Sequence, residues 1–353
     1  MDLTWPQLLP LIFMGVMGLS LLAYVVLDGY DLGVGILLPF AEDDEKDLMV
    51  ASIGPFWDSN ETWLVLGIGV LLVAFPFAHG LVLTALYLPV AVMLFGLILR
   101  GVSFDFRVKA RAAHKWLWNA LFAAGSLIAA MAQGWMLGSY LTGFQGSGWP
   151  LAFSLLIALT LPTAYAVLGS GWLIMKTGED LQRKAVAWGR ATLWPMGLAL
   201  AAISIATPLV SPTVFDKWFQ MPTLIALLPI PVACAVAFFA AWHVLSRPRV
   251  VAAGYGWVVF ASTVLIFVLA FVGLAYSLYP YIVLDRMTVW EAASAHESLV
   301  IIFVGVAITL PAIIAYSAFM YRVFWGRASA LSYLPPPPAT PATPAGDEVT
   351  GRA

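Results

Sequence analysis

The sequence predicts an all-α, polytopic transmembrane bundle of about nine spans, and three observations carry that prediction. The chain is 62% hydrophobic and 10% charged, with a mean hydropathy of +0.92, whereas an average soluble domain is about 25% charged. Apolar runs of about 20 residues, enough for a helix to cross roughly 30 Å of hydrocarbon, recur along almost the whole length. Basic residues gather in alternate loops, as the orientation rule for membrane helices requires. Barrel strands would be shorter and would alternate in polarity, so helices are the reading.

Breaking the hydropathy at charged or Gly/Pro-rich junctions gives spans near 8–28, 58–77, 79–99, 117–137, 151–175, 191–209, 223–245, 256–279 and 298–322. The second and third are separated only by a tight turn near Phe77-Ala78-His79-Gly80. The first ten residues hold no Lys or Arg, so they lack the basic start of a signal peptide and the first span is expected to be retained. Arg100, Arg107, Lys109, Arg111 and Lys115 fall in one loop, Lys176, Arg183, Lys184 and Arg190 in another, and Arg247 and Arg249 in a third. With nine spans these loops are cytoplasmic, the N-terminus is outside and the C-terminus inside. The acidic run Glu42-Asp43-Asp44-Glu45-Lys46-Asp47 is then also cytoplasmic, which the rule tolerates because acids count for little. Short loops favour up-down neighbours, dividing into two four-helix groups and one peripheral helix. Residues 1–333 read as a single transmembrane domain with no strong internal repeat. Residues 334–353, with Pro335-Pro336-Pro337-Pro338, read as a disordered cytoplasmic tail.

A net charge of -2 gives no reason to expect nucleic acid. The one cysteine, Cys234, rules out an internal disulfide and is expected to be an inert buried thiol. The four histidines, His79, His114, His243 and His296, lie toward span ends with no pair at ligand spacing, so the chain itself is expected to hold no haem or metal.

The polar residues at the edges of apolar runs need explaining, because charge there is costly unless used or paired. Asp58 and Glu61 share a helix face. They could form the mouth of a proton path, or a capping box at a helix start. Trp57 could shield Asp58 or belong to the interfacial aromatic belt. Asp105 and Lys109, four apart with the acid first, are spaced for an ion pair on a helix extending past the membrane. Arg100, directly after an apolar run, could reach lipid phosphates or pair with a buried acid such as Asp58. Asp28 and Asp31, amid Gly29, Gly33 and Gly35, suit an aspartate-stabilised turn better than a sodium site.

Three stretches taken together, Asp28-Gly29-Tyr30-Asp31-Leu32-Gly33-Val34-Gly35, Ser52 to Leu64 with Gly54-Pro55-Phe56-Trp57-Asp58-Ser59-Asn60-Glu61, and Arg100-Gly101-Val102-Ser103-Phe104-Asp105-Phe106-Arg107-Val108-Lys109, closely resemble subunit II of the cytochrome bd quinol oxidases. Tyr279-Pro280-Tyr281 and Thr288-Val289-Trp290-Glu291-Ala292 extend the resemblance loosely to most of the chain. It implies a haem-free subunit, paired with a subunit I that carries two b haems and one d haem, in a bacterial inner-membrane complex. That complex oxidises ubiquinol or another quinol and reduces oxygen to water, with small single-helix accessory subunits and membrane lipids around the pair. It further implies that Asp58, Asp105 and Lys109, with Trp57 and Glu61 beside them, serve a cytoplasmic proton entry. Asp28, Asp31, Asn60 and Arg100 are then structural polar residues. Some members hold a structural quinone in this subunit, and no position here is assigned to it. The rival readings from the residues are an ion-coupled transporter using Asp28, Asp31 and Asp58, and a purely structural assembly subunit.

Overall fold

The computed structural model describes residues 4–328. The predicted 334–353 tail lies outside them. Helix α1 (Trp5–Leu37) starts at a capping box in which Thr4 and Gln7 satisfy free backbone groups. It is followed by α2 (Asp43–Ile53), α3 (Trp57–Ala74), α4 (Pro76–Lys109), α5 (Lys115–Leu141), α6 (Gly148–Lys176) and α7 (Glu179–Val210). The rest comprises α8 (Pro212–Phe219), α9 (Thr223–Leu227), α10 (Pro229–Leu245), α11 (Pro248–Val250), α12 (Trp257–Leu278), β1 (Tyr281–Val283), β2 (Met287–Thr288), α13 (Val289–Ala292) and α14 (His296–Val323).

Eight of the helical stretches are long and apolar enough to cross a membrane. Helix α3 has 18 residues and falls short of that measure, because Asp58, Asn60 and Glu61 occupy its first turns. It is nonetheless separate from α4. The break lies at buried Phe75, two residues before the turn expected from sequence, because Pro76 has no N–H to continue the ladder of α3. The carbonyls left open at the end of α3 are satisfied from afar: Ser294 donates its N–H to Ala74 at 2.8 Å and its hydroxyl to Val73 at 2.8 Å.

Two corrections concern the stretch after the first span. Asp28 and Asp31 do not stand in a turn, since α1 stays helical through both and on to Leu37. The glycines there serve packing: a Cβ at Gly33 would lie 1.8 Å from the Tyr165 carbonyl oxygen, so only glycine lets α1 and α6 meet this closely. The acidic run is not a loop but the first turns of α2, where Glu42 and Glu45 form a capping box and acids suit the helix dipole. Lys184 of α7 pairs with Glu42 at 2.7 Å and Glu45 at 2.8 Å.

Helices α1, α3, α4 and α5 pack as one group, and α6, α7, α10 and α12 as a second. Contacts of α1 and α5 with α6 join the two, and α14 runs along α1 and α3 with most of its surface exposed. The main core is centred on Tyr30, Tyr165, Leu168 and Trp172. A smaller one, built on Leu9, Phe13, Phe75, Val289 and Leu299, closes the other end. There β1 and β2 pair antiparallel, Tyr281 opposite Thr288, and lead into α13 through a Thr288–Glu291 capping box.

The structure also draws attention to a repeat not expected from the sequence. Ala23-Tyr24-Val25-Val26-Leu27 of α1 recurs as Ala164-Tyr165-Ala166-Val167-Leu168 of α6. The two tyrosines meet at Gln133 of α5, which donates to Tyr24 Oη at 2.8 Å and accepts from Tyr165 Oη at 2.6 Å.

Candidate functional site

The polar residues of three helices converge on one buried cluster. Arg100 of α4 is 1% exposed, yet it follows the apolar run that spans most of its helix. Its Nη2 lies 2.6 Å from Asp28 Oδ1 and also binds Glu61 Oε1. Its guanidinium stands 5.9 Å from the Trp57 ring centroid, a cation–π distance. A neighbouring close approach, α4 on α5 at Gly96 and Gly125, brings the backbone of Arg100 against α5. Arg100 therefore does not reach lipid phosphates and does pair with a buried acid, as the sequence allowed, but that acid is Asp28 and not Asp58.

A second branch runs from Asp31. Its Oδ2 accepts from Asn60 Nδ2 at 2.8 Å, and the same amide lies 2.9 Å from Tyr30 Oη. Tyr321 of α14 closes the branch, with its hydroxyl 2.7 Å from Tyr30 Oη and 3.2 Å from Asn60 Oδ1. Two carboxyl groups, those of Asp28 and Glu61, share one guanidinium, and the buried Asp31 stands one helical turn from Asp28. Oδ2 of Asp28, Oδ1 of Asp31, and Nε and Nη1 of Arg100 are buried without hydrogen-bond partners among the described residues, and Oδ1 of Asp28 has only its ion pair to Arg100. Such groups are costly in a low-dielectric interior unless they serve a purpose.

Glu61 is the member that reaches outward, with its side chain 27% exposed. Asp58, Asp105 and Lys109 are exposed and, among the described residues, make no ion pair or side-chain hydrogen bond. The predicted Asp105–Lys109 pair is therefore absent, because the two side chains point to open surface rather than to each other. The capping-box reading of Asp58 and Glu61 also fails: Phe56 stands at the N-cap of α3 with no side-chain cap, and Glu61 is committed to Arg100. Asp58 and Asp105 each directly follow one member of a touching aromatic pair, Trp57 and Phe104, whose ring centroids are 4.9 Å apart. Trp57 thus packs between α3 and α4 rather than covering Asp58.

One functional-looking group escaped the sequence. Arg107, counted in the sequence among the basic residues of a cytoplasmic loop, is buried and donates to Asp47 Oδ1 at 2.6 Å and to Asn119. Lys115 donates to Asp47 Oδ2 at 2.8 Å. Partial burial opposes ionisation of Asp47, but the hydrogen bonds from Lys115 and Arg107 outweigh it and hold the carboxyl below the usual range. This cluster staples α2 to α4 and α5. Tyr30, Tyr321, Tyr24 and Gln133 were likewise missed. The repeated Ala-Tyr-x-Val-Leu was the one signal that pointed to Tyr24 and Tyr165.

His79, His114, His243 and His296 stand on four different elements, and His114 and His243 are exposed. No group of three His, Cys, Asp or Glu able to hold a metal occurs among the described residues. Cys234, expected buried, is partly exposed on α10.

Comparison with known proteins agrees with this architecture. Residues 9–324 match the family model described as cytochrome bd terminal oxidase subunit II. Cytochrome bd ubiquinol oxidase subunit 2 of Bacillus subtilis (strain 168) is 26% identical, over 92% of this chain and 96% of that protein. Cytochrome bd-I ubiquinol oxidase subunit 2 of Escherichia coli (strain K12) is 25% identical, over 91% and 95%. Among solved structures, the bd oxidase from Geobacillus thermodenitrificans superposes with a TM-score of 0.74 at 18% identity, covering 90% of this chain and 98% of that one. That last likeness speaks for the fold alone.

Proposed function

The chain belongs to the cytochrome bd terminal oxidase subunit II family, and from that premise we propose that it is a haem-free subunit which helps admit cytoplasmic protons to a haem-bearing partner. It is a multi-pass protein of the bacterial inner membrane and part of a quinol oxidase complex that also contains subunit I. In this reading subunit I holds two b haems and one d haem, while small single-helix subunits and lipids complete the assembly. Ubiquinol or another quinol is the reductant. Reduction of oxygen to water consumes as many protons as electrons, so the complex needs a polar entry through an apolar wall. In this reading the subunit itself holds no haem, and its contribution is to exclude water and to hold protonatable groups in line.

Glu61 is the observation that carries the proposal. It joins a surface rim bearing Asp58, Asp105 and Lys109 to the buried Arg100–Asp28 pair. Carboxylates exposed at the end of membrane helices, with no partner among the described residues, suit a face that a second subunit covers. The distribution of basic loop residues supports nine crossings, with α3 as the second, the N-terminus outside and the rim on the cytoplasmic side. An ion-coupled transporter would need a cavity inside the bundle. Two clefts, of about 890 Å³ beside Glu45 and Lys184 and about 190 Å³ beside Thr142 and Asp285, open at helix ends.

The test is the complete oxidase complex carrying Asp58→Asn or Asp105→Asn. Loss of a group that passes protons is expected to lower quinol-driven oxygen uptake by roughly tenfold or more, with haem content unchanged. Parental oxygen uptake with normal haem content in both variants would leave a purely structural subunit.

A further inference from the structure

Tyr321 stands near the end of α14, a helix whose surface is otherwise mostly exposed. Its ring stacks on Phe56 with centroids 4.7 Å apart. A phenylalanine would stack equally well, so packing does not explain the hydroxyl, which costs free energy to bury unless it is bonded. That hydroxyl is bonded twice, to Tyr30 Oη at 2.7 Å and to Asn60 Oδ1 at 3.2 Å. Asn60 donates its amide to Asp31 at 2.8 Å, to Tyr30 Oη at 2.9 Å and to the Leu27 carbonyl at 3.3 Å, all on α1, so Tyr321, which donates to Asn60 Oδ1, holds the one end of that side chain that α1 does not. The end of α14 is held in place independently. Lys176 of α6 donates to the Phe324 carbonyl at 2.7 Å, and a cation at a helix C-terminus is favourable there.

We propose that Tyr321 is a positioning residue for proton entry: through Asn60 it orients the Asp31 carboxyl beside the Asp28–Arg100 pair, and it closes that branch so that exchange with solvent runs by way of Glu61. The inference rests on the proton-entry reading of the rim. Charged and titratable groups stand around the branch on several helices: Asp28 and Tyr30 on α1, Glu61 on α3, Arg100 on α4, and Lys176 on α6, whose ammonium lies over the Phe56 ring. Among the described residues, Tyr321 is the side chain of α14 that hydrogen-bonds into the branch.

The test compares the intact complex with Tyr321→Phe, with the exposed Phe319→Leu of the same helix as control and Asp58→Asn alongside. Tyr321→Phe is expected to assemble with parental haem content. It should lose roughly two- to tenfold in oxygen uptake, the fold-change that one net hydrogen bond is worth, and its pH–rate profile should move. Faster hydrogen exchange in the first turns of α3 should accompany the loss. Asn60→Asp, which leaves α14 untouched, should move the profile too and serves if Tyr321→Phe fails to assemble. Parental uptake and profile in Tyr321→Phe overturn the proposal, as does a drop in uptake with an unmoved profile, the signature of loosened packing. A silent Tyr321→Phe beside an impaired Asp58→Asn removes the positioning role alone. Silence in both removes the proton-entry reading with it.

Discussion

Arg100 is the residue on which the buried cluster turns. It is the only cation in direct contact with Asp28 and Glu61 among the described residues, and taking away one partner of a buried pair leaves an uncompensated charge. Arg100→Gln is therefore expected to destabilise the complex by about 3–5 kcal/mol, read as a lower thermal midpoint in detergent. Asp28→Asn added to it should recover part of the loss, because it removes the orphaned carboxylate. A double variant no more stable than the single one would show that the pair is not the source. At this scale the sequence was half legible. Asp28, Asp31, Asn60 and Arg100 stood out as polar groups in apolar surroundings, whereas Tyr30 and Tyr321 looked like any other aromatics of a membrane helix. Nothing local marks a tyrosine whose hydroxyl partner comes from a helix at the far end of the chain.

Helices meet here through missing side chains. At Gly33 an added methyl would collide with the backbone of α6, and backbone cannot swing aside as a side chain can. Gly33→Ala is expected to cost at least about 1–3 kcal/mol by overpacking, and the yield of assembled complex should fall accordingly. Gly15→Ala and Gly69→Ala, where nothing lies within 4 Å of the new methyl, should leave yield and thermal midpoint unchanged within measurement. Equal yields for all three variants would mean that α1 and α6 do not meet as described. The glycine density that reads as a turn in the sequence is, in the bundle, a contact surface. Both readings follow from a small residue, and only the presence of α6 decides between them. The break between α3 and α4 was more legible, since Pro76 states it locally.

For the whole molecule, the two four-helix groups and the outlying α14 leave large apolar faces exposed, among them Phe95, Ile98 and Phe106 on α4 and Ile301 and Ile308 on α14. Such faces suit lipid and a partner subunit. A reduced-minus-oxidised visible spectrum checks the division of labour: haem bands are expected from the purified complex and none from this chain isolated in mild detergent. Haem bound by the isolated chain would contradict it. What the sequence determined unaided was the membrane bundle and the family, because long apolar runs have no other stable solution in lipid and three spaced motifs survive in the primary structure. What only the tertiary structure decided was which acids are buried and which stand at the rim. Asp28 and Asp58 carry the same chemical group, but α4 lays Arg100 across the first, deep inside α1, and leaves the second exposed in the first turn of α3.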